Sequence, residues 1–206
     1  FSSYDSPTDA FDLNLSNLIP LQGPNVCGSY LNDYSIRFKM TKNLAQGVYS
    51  FSIGADDGVR MLIDGVPVVL NPAGSFTTHA YTVFTSNPQC ISAGSHDLVI
   101  EYFERGGFSR VSFDYQIAPA PTVTTPLSVC INSAVPTLTA SSTDPLVVGY
   151  KWYSDAALST LVAATQNYTP LPADLDMSVA GATDFYVTAD YGCGQSLPAT
   201  LTVDIL

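Results

Sequence analysis

Apolar and polar residues alternate through much of the first half of the chain, the period of a strand with one buried face. Ile36, Phe38 and Met40 share one face, and Tyr49, Phe51 and Ile53 repeat the pattern. Val59-Arg-Met-Leu-Ile63 runs into Asp64-Gly65 and then Val66-Pro-Val-Val-Leu70. Asp-Gly between two apolar runs marks a hairpin, so Asp64 reads as a turn residue rather than a ligand. Further strands are expected near His79–Phe84, His96–Phe103 and Ser109–Ile117. The last two are joined by Glu104-Arg-Gly-Gly-Phe108, read as a glycine-rich hairpin loop. Residues 1–34 are less regular and show no helical period. In the second half, strands are expected over 135–140, 147–153, 184–189 and 197–205, with Asp190–Ser196 as the final loop. About seven short strands in so short a stretch suggest a sandwich.

Composition agrees. Of 18 acidic residues only Glu101 and Glu104 are glutamate, and lysine occurs only at 39, 42 and 151. The strong helix formers are scarce while β-branched and aromatic residues abound, so the fold class is all-β. Ala118-Pro-Ala-Pro-Thr-Val-Thr-Thr-Pro126 is stiffened by prolines that cannot donate to a ladder. It divides the chain into a β domain over 1–118, a linker over 119–126 and a smaller sandwich over 127–206. Opening on Phe1, the chain reads as a fragment or a processed product.

Four cysteines stand at 27, 90, 130 and 193. They allow three connectivities, and only the linker favours pairing within each half, Cys27–Cys90 and Cys130–Cys193. An even cysteine count in a lysine-poor β chain points to disulfides in an oxidising, extracellular setting, with reduced core cysteines as the plain alternative. No Cys-x-x-Cys occurs and His79 and His96 lie apart, which argues against zinc. With 7 basic against 18 acidic residues, a net of −11, nucleic acid and anionic membranes are poor partners. No apolar run is long enough to span a bilayer.

The most distinctive chemistry is Asp56-Asp57 between two strands. Adjacent strand residues point to opposite faces, so two neighbouring aspartates do not ordinarily grip one ion. A cis peptide between them would bring both carboxylates to one side. The plain alternative is a polar Asp-Asp-Gly turn.

The block Gly47-Val-Tyr-Ser-Phe … Ala55-Asp-Asp-Gly-Val-Arg-Met-Leu-Ile-Asp-Gly65, with Gly94–Gly107 and Val111-Ser-Phe113 as a closing hairpin, resembles the PA-fourteen domain over about residues 25–118. That resemblance implies a β-sandwich or barrel of a kind found in adhesins, toxins and glycosidases. In the lectin members an Asp-Asp pair with a cis peptide holds calcium, and the calcium coordinates sugar hydroxyls. Carried over, Asp56 and Asp57 match the calcium pair, while other members keep Asp-Asp-Gly in a structural role. Glu104-Arg-Gly-Gly-Phe108 departs from the lectin loop, where an asparagine ligand is expected. Glu104 offers an oxygen to the ion or sugar, or pairs with Arg105 or Arg110. Phe108 offers a ring for a sugar face, or packs at the loop tip. The second half, with Trp152 as its central tryptophan, is similar to immunoglobulin-like modules of large secreted bacterial surface proteins.

Two functions follow from these expectations. The first is a calcium-dependent lectin or adhesin module, with a glycan or glycoprotein surface as partner, displayed by an immunoglobulin-like spacer beside other domains of a larger extracellular or cell-surface protein. The second is a purely structural or protein-binding tandem module of an extracellular fibre. An enzyme is not expected. No Ser/His/Asp or Cys/His set is suggested, and adjacent aspartates cannot flank a glycosidic bond from opposite sides.

Overall fold

The computed structural model describes residues 9–16 and 32–206, in which every regular element is a strand. The chain divides into two compact units, 1–116 and 117–206.

The first unit carries β1 (Phe11–Asn14), β2 (Tyr34–Leu44), β3 (Gly47–Asp56), β4 (Gly58–Ile63), β5 (Val66–Pro67), β6 (Leu70–Asn71), β7 (Thr82–Ser86), β8 (Gln89–Ile91), β9 (Gly94–Glu104) and β10 (Arg110–Ile117). They form two sheets. One is ordered β1-β10-β3-β7-β6, with β8 also on β3; the other is ordered β2-β9-β4-β5. The alternation seen in sequence is the reason: Phe51, Ile53, Val59, Met61, Ile100, Tyr102, Val111 and Phe113 all turn inward and are buried. Phe51, Phe113 and Tyr115 add a ring cluster with centroids 6.0–6.3 Å apart.

Several expectations shift once sheet membership is visible. Val66–Leu70 is not one strand: β5 pairs with β4 in one sheet and β6 with β7 in the other. Pro67 removes a ladder donor where the chain leaves the first sheet. His79 precedes its expected strand, lying in the loop before β7 with its ring nitrogens on the Ala80 and Ser75 carbonyls. The Glu104–Phe108 segment is not a hairpin loop, because β9 and β10 belong to different sheets. The Asp64-Gly65 turn is as expected. Both residues have positive φ (51° and 80°), the geometry that makes Asp-Gly favourable in a two-residue hairpin.

The second unit carries β11 (Thr122–Val123), β12 (Leu127–Val129), β13 (Leu138–Ser141), β14 (Gly149–Tyr153), β15 (Leu161–Ala163), β16 (Asn167–Tyr168), β17 (Gly181–Asp190) and β18 (Ala199–Ile205). Its sheets are β11-β13-β16 and β12-β18-β17-β14-β15. Trp152 is fully buried among Leu138, Tyr168, Phe185, Val187, Leu201 and Val203, and its indole N–H donates to the Thr165 carbonyl at 3.0 Å. The segment 119–126 is not a free linker. Thr122 and Val123 pair with Ser141 and Ala140, while Pro119, Pro121 and Pro126 stay outside the ladder.

The Cys130–Cys193 bridge does not form. Cys130 is a free, exposed thiol. Cys130 follows β12, whose parallel pairing sets Val129 against Ile205 at the far end of β18. Cys193 lies in the loop that leads into the near end. A seven-residue strand spans about 20 Å, and a disulfide needs Cα atoms within about 7 Å. Cys27, and with it the expected Cys27–Cys90 bridge, lies outside the described residues.

Candidate functional site

The chain crosses between the two sheets of the first unit at Asp56-Asp57, where β3 ends and β4 begins, and again over 105–109, between β9 and β10. The two crossings touch: the Arg105 backbone N–H donates to Asp57 Oδ2 at 2.7 Å. The Asp56–Asp57 peptide is cis. Ala55 and Val59 on either side are fully buried, so the pair is held by core packing. Gly58 is required by the same packing. A Cβ there would lie 2.1 Å from Cε1 of Phe103, whose ring crosses it from β9.

Asp57 is almost completely buried at 2% exposure. Asp56 is half-buried, with the Tyr81 backbone N–H nearby. Burial pushes the Asp56 carboxyl above its ordinary value and the Asp57 charge adds to this, with Tyr81 N–H and His79 acting the other way. No lysine or arginine forms an ion pair with either aspartate among the described residues.

Glu104 does not face solvent beside them. It is 1% exposed, with Oε1 accepting from Gly106 N–H at 2.7 Å and Oε2 2.9 Å from the Tyr102 hydroxyl. Tyr102 Oη also lies 2.5 Å from the Asp56 carbonyl oxygen, so one phenolic proton stands between two acceptors. Burial raises the Glu104 carboxyl first. The Tyr102 and Gly106 hydrogen bonds oppose the shift, and Asp57 and Asp56 reinforce it. The Tyr102 hydroxyl is pushed well above its ordinary range by burial and by Glu104. The expected ion pair with Arg105 or Arg110 is not made: Arg110 forks onto Asp12 at 2.9 and 2.6 Å and covers the Tyr81 ring. Phe108 does not pack at the loop tip; it is 79% exposed.

Asp56, Asp57 and the 104–108 loop are therefore brought together, with Glu104 beneath them as a buried brace. Among the described residues no group of three His, Cys, Asp or Glu converges on one point. Tyr102, Tyr81 and the Arg105 amide were not anticipated. A signal for Glu104 and Tyr102 did exist, since Leu98, Ile100, Tyr102 and Glu104 share strand parity and all four are buried.

Two all-β units in tandem, the first carrying an acidic loop site at a sheet crossing, define the class of this chain as a tandem β-sheet module. The sequence matches the PA14 domain over residues 26–124 and the Ig-like CHU_C-associated domain over 119–206. The chain is a PA14 domain followed by an Ig-like domain, families that are typically non-catalytic, with PA14 domains often carbohydrate-binding. No curated protein matches. Among solved structures, the PA14 domain of the antifreeze protein MpAFP is 23% identical, covering 42% of this chain and 44% of that one, with a TM-score of 0.37. An anti-sigma factor domain-containing protein is 14% identical over 87% of this chain and 59% of that one, TM-score 0.42. The adhesin domain of Epf from Streptococcus pyogenes is 14% identical over 86% of this chain and 75% of that one, TM-score 0.31. The chain thus spans less than two thirds of the first two of these. No helix among the described residues is long and apolar enough to cross a membrane.

Proposed function

We propose that the PA14 unit is a calcium-dependent glycan-binding module, displayed by the Ig-like unit in a secreted or cell-surface protein that adheres to glycan-bearing surfaces. One observation carries the reading: Asp56 and Asp57 are adjacent, buried or half-buried carboxylates whose partners are neutral N–H donors, with no cationic side chain paired to them. Burying uncompensated charge is costly, and a bound cation is the usual remedy. The donor set suits a hard cation. Calcium takes six to eight oxygens, so carboxylates from Asp56 and Asp57 leave positions for carbonyls, water and vicinal sugar hydroxyls. When bound, the ion would supply charge and open coordination positions for those hydroxyls. The protein's part is to hold the pair through Arg105 N–H and Tyr102, and to present Phe108 as an apolar ring to a sugar face.

A glycan array read with calcium and with excess chelator tests this directly. Binding that vanishes in chelator, and in both Asp56→Asn and Asp57→Asn, is the expected outcome; binding untouched by chelator would sink it. Calcium should also raise the melting temperature of the parent but not of Asp57→Asn, because a ligand that binds only the folded state stabilises it. A calcium-induced rise without any glycan binding would favour the structural tandem-module reading.

A further inference from the structure

The four-stranded sheet of the first unit has an outer face that the Asp56-Asp57 site does not use. Strand register aligns Arg37, Glu101 and Arg60 in one row across β2, β9 and β4, with Lys39, Val99 and Leu62 in the next. Glu101 holds both guanidinium groups. Arg37 gives Nε and Nη2 to Oε1 at 2.9 and 2.5 Å, and Arg60 gives Nε to Oε2. Arg60 then lies over the Phe76 ring, 4.7 Å from its centroid, and Phe76 meets Phe103 edge-on at 5.1 Å. Arg37, Arg60 and Phe76 stay largely accessible, at 65%, 52% and 44%.

The charge count is unusual for this molecule. Lys42, Arg110 and Lys151 are each matched by one aspartate: Asp9, Asp12 and Asp190. On the outer face Arg37 and Arg60 share a single glutamate, and exposed Lys39 forms no ion pair among the described residues. Asp97, one row further, accepts from Thr41. A chain of net −11 thus keeps a rigid face with excess positive charge beside an exposed aromatic ring.

We propose that this face binds a carboxylated polysaccharide, a polyuronate, independently of the cation site. An arginine fork matches a planar carboxylate, and Arg60 commits only Nε to Glu101, leaving its terminal N–H groups to a ligand. Glu101 fixes both forks in advance, so little side-chain freedom is lost on binding. Phe76 supplies the apolar surface that a sugar ring, unlike an acidic side chain, can use. The rest of the acidic surface repels the polymer, which confines it to this face.

The test is affinity electrophoresis of the whole chain in gels containing polygalacturonate, with chelator throughout. Parallel gels contain sulfated dextran, poly-glutamate or a neutral glucan. Polygalacturonate should retard the parent protein more than any other additive, and high salt should abolish the effect. Lys39→Glu, a surface change without a partner to lose, should weaken retardation several-fold at an unchanged melting temperature, and Arg37→Ala and Arg60→Ala should weaken it further. Asp57→Asn should leave it intact. The proposal is overturned if the parent is not retarded, if Lys39→Glu is retarded as strongly as the parent, or if Asp57→Asn abolishes retardation. Equal or stronger retardation by sulfated dextran or poly-glutamate overturns it too, by removing the preference for a carboxylated sugar.

Discussion

Glu101 and Glu104, the only glutamates of the chain, stand three positions apart on one strand, and the sheet puts them in opposite environments. Glu101 faces out between Arg37 and Arg60, whose hydrogen bonds hold its carboxyl below the ordinary value. Glu104 faces in, meets only neutral donors, and is raised by burial. The residue type is the same; parity along β9 and the sign of the neighbouring charge decide what each does. Glu101 organises cations at a surface, while Glu104 organises backbone beneath the Asp56-Asp57 pair.

The largest blow to this contrast is expected from Gly58→Ala. The new Cβ collides with Phe103, the residue just before Glu104, and overpacking of that kind costs on the order of 2–3 kcal/mol. Urea unfolding should register it, and an unchanged midpoint would mean that the Phe103 ring is not fixed. Glu104→Ala comes next. It leaves the Gly106 N–H without its acceptor and should cost about 1–3 kcal/mol, whereas Glu104→Gln should lose less because the amide oxygen can still accept. In chelator, Glu104→Ala should also loosen the 105–108 loop, read as faster amide exchange at Gly106.

The third test uses the opposite shifts. Glu104 is raised in the folded state, so its contribution is complete below the unfolded carboxyl value and is lost as pH rises through the folded one. Glu104→Gln should therefore gain on the parent protein as pH rises from about 4 toward 7 in chelator. Glu101 is lowered, so its contribution is present above the unfolded value and fades as pH falls through the folded one. Glu101→Gln should accordingly be slightly less stable than the parent at neutral pH, and the gap should close on acidification. Parallel pH profiles for the two variants would erase the distinction. The smallest effect on stability belongs to Phe108→Ala, within about 0.5 kcal/mol, because the ring is exposed. If Phe108 meets the sugar, the same variant should lose glycan affinity, which separates a contact residue from a brace.

Much of the strand pattern was legible, because alternation reports directly which residues face a core. Ile36, Phe38 and Met40 fall within β2, and Tyr49, Phe51 and Ile53 within β3, as the pattern requires. Sheet membership was not legible. Alternation tells a strand's two faces apart without naming its neighbours, so 104–108 looked like a hairpin and Val66–Leu70 like one strand. The Asp56-Asp57 pair stood out by its spacing, yet its surroundings depend on contacts across dozens of residues, such as Arg105 with Asp57. By its chemistry Glu104 suggests a ligand or an ion-pair partner, yet its place in the Leu98-Ile100-Tyr102 series already sets it inside. The cysteines show the same limit, since a proline-rich segment suggested partners that the direction of β12 along β18 keeps apart.

The contact between the two sheet crossings has a mechanical side. Each sheet of the PA14 unit is laced internally by its own ladders, but at this end the sheets are joined through two short covalent spans and the bonds between them: Arg105 N–H to Asp57, and Tyr102 to the Asp56 carbonyl. A load that parts the sheets must pull on that joint. Whatever grips Asp56, Asp57 and the neighbouring loop together acts as a rivet through both layers, so holding a ligand and resisting tension draw on the same few bonds.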